Sequence, residues 1–409
     1  MKNVVIVTSS FNEQDSVTHI TKNIIAAYKK IPNIFLTISN ISRILLSPSS
    51  IQNLDFIIIV HPMVLIDPSL KLLIEKTNEV KTSLIFYIFG DYVRKSSFYV
   101  RLNDCLIGKK VLFFAASECY QVLIGKSLIS KSNCQLCPFP IKQQTFNIKK
   151  NSRSTFRKNH GLVKKDFALI YTGRISPQKN ILLLIDTFNN LKKTLESTVN
   201  LKLFIFGNVD EFEMPTFYEK KFKPGEYFQL LQSSIKNDDD VKIFPRINHQ
   251  HLKKAYAGSD LFISLSIYHD EDFGYSPIEA LCSGVPVVLT NWGGYRDLQN
   301  QNAKDKMIQH VDLEYSECTL ILNEKEIQEK ITSSIINKRI SKSTSRKMKT
   351  KYSLDNISNQ YAKFLVEPIE PFHGFHEEFI SLSLLMLNDN YPALELYEHF
   401  YQSFWKNKI

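Results

Sequence analysis

The chain has 409 residues, 44% of them hydrophobic and 12% aromatic, with a formal net charge of +10. That composition excludes a disordered chain, and the length predicts two or three domains, each able to bury its own core. No apolar run reaches the roughly 18 residues that cross a bilayer, and the first strand starts too close to Met1 for a cleavable leader, so the expectation is a cytoplasmic protein. Six cysteines, at positions 105, 119, 134, 137, 282 and 318, are scattered without a disulfide framework. Cys134 and Cys137 have the spacing of half a zinc site, but no second pair follows at a suitable interval, and no metal is expected.

Along the first half, VVIVTSS, IFLTISN, DFIIIVHP, SLIFYIFG and VLFFAAS read as buried strands, separated by stretches such as VTHITKNIIAAYKK with helical periodicity. In the second half FALIYTG, LKLFIFG, VKIFP, LFISLS and VPVVLT play the same part. Continuous apolar strands are covered on both faces, which means parallel sheets, so each half reads as a doubly wound α/β domain. The expected boundaries are 1–150 for the first domain and 166–350 for the second. A tail at 351–409, with a helix from Ser353, prolines after it and an aromatic-rich amphipathic close, is expected to pack back on the first domain.

Much of the positive charge comes from two segments, KKNSRSTFRKNHGLVKK from Lys149 and NKRISKSTSRKMKTK from Asn337. Both are polar with poor periodicity and read as a linker or exposed loop. The functional alternative is attraction to an anionic surface, either a membrane leaflet or a diphosphate-linked lipid. Nucleic acid is disfavoured, because no groove-reading or aromatic-basic motif accompanies the charge. The acidic run Asp238-Asp239-Asp240 precedes a strand and reads as a solvated loop.

The chemistry concentrates in YHDEDFGYSPIEALCSGVPVVLTNWGGYRD, from Tyr268 to Asp297. Glu271 and Glu279 stand on either side of a helix start, with Ser276 expected as its N-cap and Pro277 as the first helical residue. Both carboxylates can accept hydroxyls from a polyhydroxylated ligand. Ser276 to Glu279 is also a complete capping box, in which Glu279 would only reach back to the Ser276 N–H. Gly293-Gly294 reads equally as a turn or as a ligand contact. Upstream, Gly173-Arg174 closes a strand and Ser176-Pro177 reads as another cap and helix start. That puts Lys179 in a first turn, where a cation opposes the helix dipole and asks for an anion. A forked guanidinium and a point charge together suit a diphosphate.

The stretch EDFGYSPIEALCSGVPVV resembles the E-x7-E signature of retaining glycosyltransferases of the GT-B type, family 4. The resemblance extends to ALIYTGRISPQKNILLLIDTFNNL, LKLFIFG and VKIFPRINHQHLKKAYAGSDLFISLS. It implies two Rossmann-like domains facing across a cleft, and transfer of a sugar, typically a hexose, from a nucleoside-diphosphate sugar to an acceptor hydroxyl. The acceptor would be a saccharide, a lipid-linked group or a protein, in glycan or glycolipid assembly. Configuration would be retained, with no metal and no cofactor beyond the donor substrate. The resemblance implies that Arg174 and Lys179 neutralise the diphosphate, that Glu271 contacts the donor sugar and that Glu279 holds the ribose. Gly173, Phe273 and Gly274 would line the donor, and Arg246 would lie near the base.

The first half departs from the family: the turn after strand one, TSSFNEQDS, has no glycine, and where a cleft histidine is common the chain has Phe89-Gly90-Asp91. Asp91 and His61, the latter after FIIIV, are the remaining candidates for touching substrate there. Those departures also allow a catalytically silent GT-B protein that serves as a scaffold in a glycosylation complex, and a nucleotide-sugar epimerase on the same fold is a third reading.

Overall fold

The computed structural model describes residues 1–9, 16–47, 51–78, 81–90, 92–142, 146, 151–210, 222–223, 225–237, 239–268, 270–300, 305–316, 319–337 and 342–385. The chain divides into two compact units, residues 1–141 with 351–409, and residues 142–350.

The first unit is a six-stranded parallel sheet in the order β2-β1-β3-β4-β5-β6, formed by Lys2–Val7, Ile34–Ser39, Phe56–Ile59, Ser83–Tyr87, Lys110–Ala115 and Cys134–Leu136 in chain order. The five apolar runs read from the sequence are β1 to β5. The three residues of β6 are too short to give a signal. In register, Val4 faces Phe56, Ile58 faces Ile85 and Phe86 faces Phe113, so β-branched and aromatic side chains stack across a sheet whose central strands β3 and β4 are buried throughout. The helix α1 (Ser16–Tyr28) follows β1 and turns Ile24, Ile25, Ala27 and Tyr28 inward.

The second unit repeats the design in the order β12-β11-β10-β7-β8-β9. Its helix α2 (Ser152–Asn159) precedes β7 (Asp166–Thr172), α3 (Ile181–Leu195) joins β7 to β8 (Asn200–Phe206), and β9 is Val241–Phe244. After α4 (His249–Gly258) come β10 (Leu261–Ser264), α5 (Tyr275–Cys282) and β11 (Val287–Thr290). The unit closes with β12 (Ile308–Val311), the hairpin β13–β14 (Leu313–Ser316, Thr319–Leu322), α6 (Glu324–Ile336) and α7 (Lys342–Lys351). The strand β12 escapes the apolar pattern because it carries Gln309 and His310. Gln309 is buried by pairing its amide with Ser334 Oγ at 2.6 Å and Lys330 O at 3.2 Å on α6.

Both basic segments prove to be partly helical. In α2, Arg157 donates to Asp260 Oδ2 (3.1 Å) and to the carbonyls of Gly258, Val163 and Asp166, while Arg153 donates to Asp260 Oδ1 (2.6 Å) and to Ala257 and Ser259 O. These two arginines cover the C-terminal carbonyls of α4, where cations are favoured. The segment from Lys149 therefore belongs to the second unit from residue 151 on, not to a linker, and the unit boundary falls at 141 and 142. Asp240 is likewise not a solvated loop residue: it is 5% exposed and paired with Lys202 (2.8 Å) and Lys192. Asp238 lies outside the described residues.

After α7 the chain rejoins the first unit. The helix α8 (Leu354–Phe364) lays Tyr361 on Tyr28 of α1, ring centroids 4.6 Å apart. Then Phe372, Phe375 and Phe379, the last on α9 (Glu377–Leu385), pack against Phe113 and Tyr92. The aromatic close of the tail from residue 386 lies outside the described residues.

Candidate active site

In the second sheet the chain proceeds from β7 to β8 and β9 on one side, then crosses to place β10 on the other side of β7. Ligands in such sheets bind beyond the carboxyl ends of the strands at this point of reversal. The segment after β7 carries Gly173, Arg174 and Lys179, and the segment after β10 carries Glu271, Phe273, Gly274 and Glu279.

Lys179 Nζ lies 2.5 Å from Glu271 Oε2 and 3.3 Å from Ser266 Oγ, and Ser266 donates to the same carboxylate oxygen at 2.8 Å. Both charged side chains are largely buried, at 13% and 10% exposure, so a single carboxylate oxygen holds an ammonium and a hydroxyl away from water. Ser266 is fixed by its own carbonyl, which accepts from Thr290 Oγ1 at 2.7 Å on β11. Lys179 does not open the long helix as expected. Pro177–Lys179 forms a short 3-10 turn after Ser176, Asn180 takes a left-handed conformation (φ 56°), and α3 starts at Ile181. The ammonium therefore stands ahead of the helix and its anion is Glu271.

Arg174 is turned toward Asp210, with Nη1 2.9 Å from Oδ2. It and Lys179 face one aromatic ring: the guanidinium carbon is 5.8 Å and Nζ 5.0 Å from the centroid of Tyr268. Tyr171, at the end of β7, donates its hydroxyl to Arg174 O at 2.7 Å, and Gly173 N–H donates to Phe206 O at 3.1 Å.

Glu279 belongs to a second cluster. The helix α5 begins with Gly274 in a left-handed N-cap conformation (φ 83°), where a Cβ would lie 2.7 Å from the Tyr295 ring. Its first helical bond runs from Ile278 N to Gly274 O. Ser276 is thus inside the helix rather than its cap, and Pro277 occupies the third helical position, where an N–H has no intrahelical partner in any case. Glu279 falls two residues deeper than a capping box requires. It is 4% exposed and accepts from Tyr256 Oη at 3.3 Å. Burial raises its pKa from 4.5 to about 8, against the lowering effects of the Tyr256 hydrogen bond and the Arg246 charge. Tyr256, on α4, also meets Thr172 Oγ1 at 2.7 Å, and its Oη lies 3.3 Å from Ser276 O. Tyr171 and Thr172 are adjacent on β7 and so point to opposite faces, which is why one serves the Arg174 loop and the other the Glu279 cluster.

Arg246 is exposed just after β9, its backbone N–H held by Asn208 Oδ1 at 3.1 Å. His249, which opens α4, brings a ring nitrogen within 4.8 Å of a Glu279 carboxylate oxygen, and burial lowers its pKa. Phe273 is buried, tilted against Tyr275 at 5.9 Å. Gly293 and Gly294 lie beneath the Glu271 loop: Gly294 N–H donates to Glu271 O at 2.6 Å, and a Cβ on Gly293 would meet that oxygen at 2.2 Å. Their requirement for glycine comes from this close approach.

Sequence reasoning missed Ser266, Tyr268, Tyr256, Asp210 and His249. Ser266 and Tyr268 follow β10 directly and could have been found as polar groups beyond a strand end. Tyr256 and Asp210 are brought in from elsewhere in the chain and carry no local signal. In the first unit, His61 caps the short helix Pro62–Leu65: Nδ1 accepts from Met63 N at 3.2 Å and lies 3.0 Å from Ser9 Oγ. Asp91 lies outside the described residues.

Residues 152–310 match the family described as glycosyl transferases group 1. An uncharacterized glycosyltransferase of Methanocaldococcus jannaschii is 28% identical over 152 residues, 37% of this chain and 34% of that protein. The mannosylfructose-phosphate synthase of Agrobacterium fabrum is 31% identical over 150 residues, 36% of this chain and 30% of that protein. The chain thus matches about a third of the length of these curated relatives. In overall fold it is similar to Anabaena HepE, solved with UDP and glucose, at a TM-score of 0.64 and 14% identity, covering 90% of this chain and 100% of that one. Sucrose-phosphate synthase of Thermosynechococcus elongatus gives a TM-score of 0.61 at 11% identity, covering 89% and 98%.

Proposed function

We infer the activity from the premise that the second unit belongs to the group 1 glycosyl transferases, in a chain of GT-B fold: the protein moves a sugar from a nucleoside-diphosphate sugar to an acceptor hydroxyl, with retention of configuration. The observation that carries this reading is the buried Lys179–Glu271 pair, with Ser266 on the same oxygen, beyond the ends of β7 and β10. A diphosphate carries more charge than a carboxylate and takes the Lys179 ammonium as its counter-ion. Glu271 then stays on Ser266 with lone pairs open to donor-sugar hydroxyls.

As the bond from the anomeric carbon to the phosphate oxygen breaks, negative charge grows on the departing diphosphate. Lys179 and Arg174, both close to the Tyr268 ring, stabilise it. Glu279 receives the ribose hydroxyls, with Tyr256 fixing the orientation of its carboxylate. The departing phosphate oxygen takes the acceptor proton, so neither metal, cofactor nor protein nucleophile enters the scheme. A hexosyl donor is supported by the names of relatives such as the mannosylfructose-phosphate synthase and the Salmonella typhimurium lipopolysaccharide 1,2-N-acetylglucosaminetransferase. UDP is the first nucleotide to test, since HepE was solved with it. The acceptor class proposed is a saccharide, lipid-linked or protein hydroxyl, in glycan or glycolipid assembly.

A thermal-shift panel of UDP, GDP and ADP identifies the nucleotide, a ligand at a hundred times its Kd raising stability by about 2.7 kcal/mol. Turnover of the matching sugar nucleotides is then compared between wild type, Lys179→Ala and Glu271→Ala. Loss of the shift in Lys179→Ala and of turnover in both variants supports the assignment. A folded wild type that neither binds nor turns over any sugar nucleotide refutes it and favours the silent scaffold.

A further inference from the structure

We propose that α7 is an electrostatic docking face for an anionic lipid bilayer. This helix, Lys342–Lys351, contains five cations, Lys342, Arg346, Lys347, Lys349 and Lys351, and no acidic residue. One face is seated on the second unit: Thr344 Oγ1 donates to Asp305 Oδ2, Ser345 Oγ donates to Cys282 O at 3.3 Å, and Met348 is 2% exposed. The opposite face presents Lys342, Arg346 and Lys347 to solvent. None of these three forms an ion pair with a described carboxylate, whereas Arg153, Arg157 and Arg174, Lys179, Lys192 and Lys202 each do. Seven cations and no acid occur between Asn337 and Lys351, so the bias belongs to the whole segment.

The character of the face selects the partner. A protein interface is anchored by apolar or aromatic residues, and single-stranded nucleic acid by stacking on aromatic rings. The exposed side of α7 offers neither. A bilayer of anionic headgroups needs only positive charge within a Debye length and no matched shape. The absence of exposed apolar side chains on the helix means adsorption onto the headgroups without insertion.

The test uses the full chain and sedimentation with vesicles of phosphatidylcholine alone, or of phosphatidylcholine with about 30% phosphatidylglycerol, in about 0.05 M salt. Wild type should bind the anionic vesicles and not the neutral ones, and added salt should release it. At about fivefold per cation, the triple variant Lys342→Gln, Arg346→Gln, Lys347→Gln should bind roughly a hundredfold more weakly. Glutamine keeps helix propensity and all three sites are exposed, so the thermal midpoint and nucleotide response should match wild type. Equal vesicle binding by the variant, no preference of wild type for anionic over neutral vesicles, or tighter binding of wild type to duplex DNA at the same ionic strength would each overturn the proposal. Nucleotide binding is read separately, so failure here leaves the donor-site assignment standing and the reverse.

Discussion

Replacing Glu279 by glutamine tests the electrostatics of the site most directly. A glutamate whose pKa rises from 4.5 when unfolded to about 8 in the fold keeps its proton in the native state over a range where the unfolded chain has lost it. Between those two values the native state binds more protons, so stability falls as pH rises and levels off above about 8. The stabilisation is fully present below about 4.5 and lost as pH rises through about 8. Using these two values, the penalty grows by about 3 kcal/mol between about pH 5.5 and about pH 8.5. Glutamine has nearly the same shape, accepts from Tyr256 Oη through its carbonyl and does not titrate. Equilibrium urea unfolding of wild type and Glu279→Gln at the two pH values should therefore show the variant gaining on wild type by about 3 kcal/mol at the higher pH. A constant difference between the two proteins across that range would show that Glu279 is already ionised at acid pH, and would refute the burial argument.

Three further outcomes follow from the same contacts. Tyr256→Phe removes the hydroxyl that meets Glu279 and Thr172, so it should cost about 1–2 kcal/mol and push the Glu279 titration higher, seen as a pH-dependent stability slope extending further into the alkaline range. Gly293→Ala puts a methyl group 2.2 Å from Glu271 O at a residue with φ 52°; a loss of at least about 2 kcal/mol in thermal unfolding, together with weakened nucleotide binding from a displaced Glu271, is expected. Arg157→Ala removes one side of the Asp260 pair and three carbonyl contacts, and since the side chain is only 12% exposed it should cost about 3 kcal/mol. Arg153→Ala, at 46% exposure, should cost less than about 1 kcal/mol, and the contrast is read by chemical denaturation.

The apolar runs that became β1 to β5 and β7 to β11 were legible because a strand buried on both faces must be apolar at consecutive positions, and that property is local. The candidate residues were legible for a related reason: Arg174, Lys179, Glu271 and Glu279 are polar groups placed just after such runs, where an α/β sheet opens. The strand β12 was not legible, since Gln309 is tolerated there only because Ser334 and Lys330 O on α6 satisfy its amide. The basic segment at 151–165 read as a linker because its arginines have partners at and just beyond the C-terminal end of α4, about a hundred residues away. The capping-box reading of Glu279 could be set aside only in the fold, where Gly274 starts the helix two residues early and the Tyr256 hydroxyl meets the carboxylate. Sequence alone therefore determined the ten apolar strands and the candidate polar groups that follow them in the chain, because hydrophobic periodicity and helix punctuation act over a few residues. Only the tertiary structure decided which charges neutralise one another and that burial pushes the Glu279 pKa up, because those depend on distances and burial set by residues far apart in the chain.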